Sequence, residues 1–378
     1  MARDGFKWID CDMHLAEPGD LWDDYIDPAF KDSYHQWVRV DASFNSLLQV
    51  QRAGPRPVER TQEEERVHPT ARLKAKRYPE LRPYANASGT WVEPEGQLRA
   101  MDTEGIDVAV LFPSVGSNGW RNAPPDAAGA IARAYNDWLH HFCSYDPARL
   151  KLNALVPIVD NVEGAVDEIR RVVTELGAVS IQPGSTRADC RLDDPAYEPV
   201  WAEAERLNVP LTFHGTAQLH LSQRYARDPL HGHASGRGIE HPVAFMELLY
   251  GGVLERHPGL RVAFLEAGAS WIMYWLFRLE EECEKSVEFT PGLDERVRLR
   301  AIEYWQRQCF TSVEVDEWPL RHVIDMVGDD TLMVSSDFPH HDCAFPEAFT
   351  RFMAIPGVSD ESRRRILWDN TARLYNLA

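Results

Sequence analysis

Eight short apolar runs alternate with stretches of helical spacing along this chain, and that alternation is what most constrains its fold. The runs cover residues 8–15, 108–115, 150–158, 178–183, 210–214, 261–266, 309–315 and 332–337. Several are continuously apolar rather than alternating, which is the pattern of strands covered on both faces. Between them, residues 126–144, 162–176, 197–207, 242–257, 271–288 and 319–327 carry apolar residues at helical spacing. Strand–helix alternation predicts a parallel sheet. Eight repetitions, with no glycine-rich phosphate turn after the first strand, predict a closed (β/α)8 TIM barrel rather than an open doubly wound sheet.

Length is compatible with that reading. A chain of 378 residues suggests two or three domains by a simple length prior, but α/β barrels with insertions reach this size as one domain. The expectation is therefore a single barrel domain spanning residues 1–378, with an insertion after strand 1 and a long loop after strand 5. Residues 28–95 would form an inserted cap or lid, and about 215–240 the loop. Inside the insertion, Arg66, Arg72, Lys74, Lys76, Arg77 and Arg82 crowd around the single acid Glu80. This basic run is a candidate contact for an anionic substrate group, with Lys74, Lys76 and Arg77 at its centre. A solvated helix face is the competing reading.

Charge excludes one large class of partners. Forty Lys and Arg against 59 Asp and Glu give a net charge of −19, so the chain as a whole repels nucleic acid. Neither an apolar leader segment nor a membrane-length apolar run is evident, and a cytoplasmic protein is expected. The six cysteines, Cys11, Cys143, Cys190, Cys283, Cys309 and Cys343, show no CxxC pair and read as reduced thiols.

A barrel of this kind builds its site at the C-terminal ends of its strands. The polar residues there are Asp12, His14 and Glu17 after the first strand, His214 at the fifth, Glu266 at the sixth and Asp337 at the eighth. Asp12 and His14, two apart, share one face of their strand. So many carboxylates in one mouth would raise one another's pKa by repulsion, and a bound metal removes that cost. Loop histidines His220, His231, His233, His241, His340 and His341 surround these positions, and His241 and His340 lie beside helix starts as candidate catalytic groups. Trp91, Phe112, Trp120 and Trp271 lie near strand ends or lids. They are candidates to line an apolar substrate pocket, against an ordinary packing role.

At these residues the chain resembles the amidohydrolase-related, ACMSD-like family of metal-dependent TIM barrels, which includes hydrolases and decarboxylases of aromatic and semialdehyde acids. The shared motifs are IDCDMHLAEP, LTFHGT, HPGLRVAFLEAGASW, LMVSSDFPH and ILWDNTARLYNL, in order along nearly the whole chain. The resemblance implies that Asp12, His14, His214 and Asp337 are metal ligands. On the sixth strand the family commonly places a His, whereas this chain has Glu266. With Glu17 and Glu266 included, the set becomes two His and four carboxylates. Hard oxygen donors favour Fe or Mn over Zn, and carboxylates can bridge two cations.

In that respect the chain resembles the family's nonheme diiron monooxygenase branch of platensimycin-type antibiotic biosynthesis. This second resemblance implies an iron-dependent oxidoreductase in which Asp12, His14, Glu17, His214, Glu266 and Asp337 hold two Fe. It would use O2 and an electron donor to hydroxylate an apolar, diterpenoid-like substrate, free or linked to a carrier or CoA. Resemblance to the wider barrel family implies a homodimer. Two other readings stay open. One is a Mn- or Zn-dependent enzyme acting on a carboxylic acid substrate: a hydrolase, with bound water as nucleophile and Asp337 as proton acceptor, or a decarboxylase, with the metal orienting the substrate carboxylate. The other is a non-catalytic, metal-stabilised binding barrel.

Overall fold

The computed structural model describes residues 3–15, 17–18, 21–38, 84, 92–114, 123–158, 161–184, 191–214, 229–340 and 343–377. Each of the eight apolar runs forms a strand: β1 Ile9–His14, β2 Val108–Phe112, β3 Leu150–Pro157, β4 Ser180–Gly184, β5 Leu211–His214, β6 Val262–Leu265, β7 Cys309–Val313 and β8 Leu332–Val334. They lie side by side in sequence order, and every successive pair is parallel. Helices run between them, including α1 (Pro94–Glu104), α2 (Pro125–Cys143), α3 (Val162–Thr174), α4 (Glu198–Arg206), α5 (Pro229–Tyr250), α6 (Trp271–Ser286), α7 (Ala301–Gln308) and α8 (Leu320–Val327). The fold is a (β/α)8 barrel.

Alternation along the strands sorts the core into two layers. One apolar cluster, containing Val110, Phe112, Ala263, Leu265, Phe310 and Met333, fills part of the barrel interior. Leu374 and Tyr375, near the C-terminus, join it, and the Tyr375 hydroxyl donates to the Cys11 carbonyl at 2.8 Å. The other strand faces pack against the helices. In α3, for example, Val166, Ile169 and Val172 are buried against that layer, and the Asn161 side chain caps the first turn by accepting from the Gly164 N–H at 3.0 Å.

The barrel closes differently at its seam. Among the described residues, no ladder of backbone bonds pairs β8 with β1. Instead the His14 N–H donates to the Phe338 carbonyl at 2.7 Å. Asp10, fully buried, accepts from the Ser336 N–H at 3.1 Å and the Ser336 hydroxyl at 2.5 Å.

The connection after β5 differs from expectation. Proline suits the first helical position, so Pro242 reads as a helix start. In the structure Pro242 lies inside α5, which begins at Pro229. The two glycines upstream, Gly236 and Gly238, have low helix propensity and hide these turns in the sequence. The loop predicted over 215–240 is therefore helical from 229 onward, while 215–228 lie outside the described residues.

Of the predicted cap, Pro28–Phe30 and Tyr34–Gln36 form short 3-10 turns. Residues 39–83 and 85–91 lie outside the described residues, and with them Lys74, Lys76, Arg77, the rest of the basic run and Trp91. Trp120 and His220 lie outside them as well. No helix among the described residues is long and apolar enough to cross a membrane.

Candidate metal centre

β1 carries a bulge where it begins the site. Asp10 pairs with Ala109 and Met13 with Leu111, so Cys11 and Asp12 together oppose the single residue Val110. Such an extra residue re-aims the side chains that follow it. Here Asp12 and His14 both point to the mouth, and both are fully buried. His214, ending β5, meets them: its Nε2 lies 2.9 Å from His14 Nε2 and 3.3 Å from Asp12 Oδ1. His14 Nε2 is 3.4 Å from Asp12 Oδ1 and 3.5 Å from Asp337 Oδ1.

Glu266 and Asp337 follow β6 and β8 and adopt left-handed backbone angles, φ 63° and 56°. For residues with a Cβ such angles cost on the order of 1–3 kcal/mol, and they persist where the surroundings impose them. The Ser312 hydroxyl oxygen accepts from the Glu266 N–H at 2.8 Å and helps to hold that turn.

Hydrogen bonding prepares these atoms for a cation. His14 Nδ1 lies 3.1 Å from the Pro113 carbonyl, which can only accept, so the proton sits on Nδ1 and the Nε2 lone pair faces the cluster. Both Asp12 carboxylate oxygens are buried without a hydrogen-bond partner, as is His214 Nδ1. Donor atoms of Asp12, His14 and His214 all lie within 4.8 Å of one another, and a second such group joins His14 to Glu266, Asp337 and His340. Two imidazole nitrogens with hard carboxylate oxygens suit a divalent ion such as Zn2+ or Mn2+. The residues present fit a metal.

Charges in the cluster are strongly coupled. Burial, followed by the neighbouring His340 and His214, holds His14 well below its ordinary pKa and keeps it neutral. Burial also opposes charge on His214, but the Asp12 and Glu266 carboxylates outweigh it and push the imidazole up to about 10. Glu266 is desolvated as well, yet the Arg237 guanidinium and His214 hold it well below the usual carboxylate range.

His340 arrives from the segment after β8. Its ring stacks on His14 at 3.8 Å, its Nδ1 lies 2.7 Å from Asp337 Oδ1, and its Nε2 lies 3.1 Å from the Ser114 hydroxyl. Despite burial, Asp337 and Glu266 raise its pKa well above the ordinary value.

The remaining expected residues take other positions. Glu17 is buried, accepts from the Ser114 N–H at 2.9 Å and belongs to neither donor cluster. His241 is buried on α5, with Nε2 2.6 Å from the Leu265 carbonyl, where it braces the end of β6. Phe112 does face the centre, its ring 5.2 Å from that of His214. Trp271 instead packs edge-on against Phe264 and Trp305, at 5.8 and 5.6 Å, in the layer behind β6.

Arg237, Ser114 and Asp10 were not recognised in the sequence as parts of the site. Arg237 had no visible signal, because its stretch read as a loop. Asp10 and Ser114 did have one, since each lies within two residues of a strand-end candidate or strand terminus.

A (β/α)8 barrel whose strand ends gather two imidazoles and several carboxylates defines a class, the metal-centre barrels of amidohydrolase type. The chain belongs to the amidohydrolase family, which it matches over residues 9–377. It is 28% identical over 298 residues to a gamma-resorcylate decarboxylase of Rhodococcus jostii (strain RHA1), covering 74% of this chain and 87% of that protein. To a 2-amino-3-carboxymuconate-6-semialdehyde decarboxylase of Dictyostelium discoideum it is 25% identical over 263 residues, 67% of this chain and 68% of the other. A solved 5-carboxyvanillate decarboxylase of Novosphingobium aromaticivorans DSM 12444 superposes with a TM-score of 0.71 at 20% identity, covering 99% of this chain and 97% of that one. That likeness shows the fold.

These relatives overturn the expected oxygen-dependent hydroxylase. They are decarboxylases, and they give no support to a diiron monooxygenase branch, to iron, to an oxidoreductase or to antibiotic biosynthesis. The expected O2 and electron donor fall with that reading. Its weak step was the count of carboxylates. Glu17 is hydrogen-bonded to Ser114 and Glu266 is paired with Arg237, so their number at the mouth does not measure the number of cations.

Proposed function

We propose that this protein is a divalent-metal-dependent decarboxylase of a hydroxylated aromatic, or comparably unsaturated, carboxylic acid. The observation that carries the reading is the similarity to gamma-resorcylate decarboxylase across 87% of that protein, in a chain whose histidine and carboxylate donors form two adjoining clusters that share His14. The solved 5-carboxyvanillate decarboxylase is complexed with manganese, which supports Mn2+ as the ion, with Zn2+ as the alternative.

Held by Asp12, His14, His214 and Asp337, the metal would supply a Lewis-acid point that fixes and polarises a substrate oxygen. The chain's own groups then handle a single proton. In decarboxylation the carbon–carboxyl bond breaks, its electron pair stays on the carbon, CO2 leaves and a proton takes its place. His340 is the donor in this scheme. Its imidazole lies between Asp337 and Glu266, 2.7 and 3.6 Å from their carboxylate oxygens, and Ser114 fixes its other nitrogen. The imidazole that the family commonly carries on the sixth strand is thus supplied from beyond the eighth. Arg237 neutralises Glu266, so the two together add no net negative charge against an anionic acid. Asp12 and His14 themselves are fully buried, away from bulk water.

The test is CO2 release from a panel of hydroxybenzoic and methoxy-hydroxybenzoic acids by Mn2+-loaded protein. At least one acid is expected to lose its carboxyl group. His340→Gln should lower kcat by about 100-fold, in the range for removal of a general acid, with metal content unchanged. Hydrolysis of ester or amide substrates without any CO2 release would overturn the reading.

A further inference from the structure

A polar ladder crosses the barrel interior on the side of β3, β4 and β5. Asn153, Ser180 and Thr212 are fully buried, and Gln182 is 6% exposed. Register places all four on the inward face: Asn153 pairs with Ser180, Leu155 with Gln182 and Thr212 with the interior residue Ala263. A polar group buried in this way has to be bonded or to be kept for a ligand.

The direction of the bonds can be followed from the bottom. The Ser180 hydroxyl lies 2.7 Å from Asn153 Oδ1 and has no other acceptor among the described residues. Its proton therefore fixes which side of the Asn153 amide is oxygen. Thr212 Oγ1 lies 2.9 Å from the same oxygen. Asn153 Nδ2 is then a donor, and it reaches Gln182 Oε1 at 3.3 Å. Gln182 Oε1 is thus turned toward Asn153, which directs the Nε2 amino group the other way, and nothing among the described residues accepts from it. Gln182 is also the one member of the ladder that is not fully closed off. In an eight-stranded barrel β4 lies opposite β8, so this amide stands across the barrel axis from Asp337.

We propose that Gln182 is a specificity-determining residue whose Nε2–H donates to an acceptor oxygen on the substrate, a ring phenolate, hydroxyl or methoxy oxygen distant from the reacting carboxyl group. The identification of the substrate as an aromatic acid rests on the decarboxylase reading; the donor direction does not. Ser180 and Thr212 orient Asn153, and Asn153 holds the Gln182 oxygen, so the group turned away from the ladder is the Nε2 donor, and a substrate that offers only a donor there meets no matching acceptor. A buried amide left without a partner penalises the analogue lacking the oxygen, which is the strong form of discrimination.

The experiment is calorimetric titration of the Mn2+-loaded protein with benzoate and with its 2-, 3- and 4-hydroxy derivatives, alongside Gln182→Leu and Gln182→Glu variants. In the wild type at least one hydroxy isomer should bind about 10-fold or more tighter than benzoate, as expected for one buried hydrogen bond. Gln182→Leu should abolish that preference, leaving benzoate and the hydroxy isomers with the same affinity within about 2-fold. Gln182→Glu, which replaces the donor with an acceptor, should disfavour the same isomer.

A wild type with no preference among the four ligands would overturn the proposal, as would a preference that survives Gln182→Leu. Equal weakening of all four ligands with a fall in Tm would assign Gln182 a packing role and overturn it as well. Gln182-dependent binding without CO2 release would leave this inference standing while the decarboxylase reading failed.

Discussion

His241 illustrates how a single buried imidazole takes its role from the direction of one bond. Its Nε2 donates to the Leu265 carbonyl, and burial, only partly opposed by that bond, holds its pKa down to about 4 from the ordinary 6.5. Between those values the unfolded chain takes up a proton that the folded one refuses. Stability contributed by neutral His241 is therefore complete above about pH 6.5 and is lost as pH falls toward 4, by up to about 3 kcal/mol. Urea unfolding of metal-free protein at pH 7.5 and pH 5 measures this. His241→Phe should show a smaller loss than the wild type between the two, and an identical loss would contradict the assignment. From sequence alone His241 and His340 looked alike, two histidines beside helix starts. Only the structure separates them, because the sequence does not encode which way a ring points or which carbonyl it meets.

At the scale of elements, the site depends on how β1 meets β8. The strands themselves were legible, because runs covered on both faces stay apolar from end to end. The bulge in β1 was not, since one extra residue leaves no mark in the apolar pattern, and the start of α5 was obscured by Pro242 and two glycines. Asp10 is the element-scale consequence. One of its oxygens accepts from the Asp12 N–H at 3.1 Å and the other takes both Ser336 donors, so it ties together the residues that carry Asp12 and Asp337. Asp10→Asn presents an amino group to at least one of those donors. Mn2+ affinity should fall by roughly 10- to 100-fold, as for loss of a group that orients metal ligands, while circular dichroism shows the barrel intact. Unchanged Mn2+ binding would mean that the seam holds the barrel without positioning the ligands.

For the whole molecule, the eightfold alternation and the strand-end position of Asp12, His14, His214 and Asp337 were both open to sequence reasoning, because barrel geometry converts strand ends into one mouth. The reaction was not. Carboxylates of similar number serve as ligands, ion-pair partners or hydrogen-bond acceptors according to neighbours such as Arg237 and Ser114, and those neighbours come from remote parts of the chain. The −19 net charge likewise says nothing about the local balance at the mouth, where a guanidinium and a metal ion would offset the acids. What the account requires is a cleavage that adds a proton and no oxygen. Mn2+-loaded protein turning over a hydroxybenzoic acid in D2O under oxygen-free conditions tests this most directly, with the product analysed by mass spectrometry and NMR. The predicted result is release of CO2 and a product bearing a single deuterium on the carbon that lost the carboxyl group. A product that has gained an oxygen atom, or turnover that stops without O2, would contradict it.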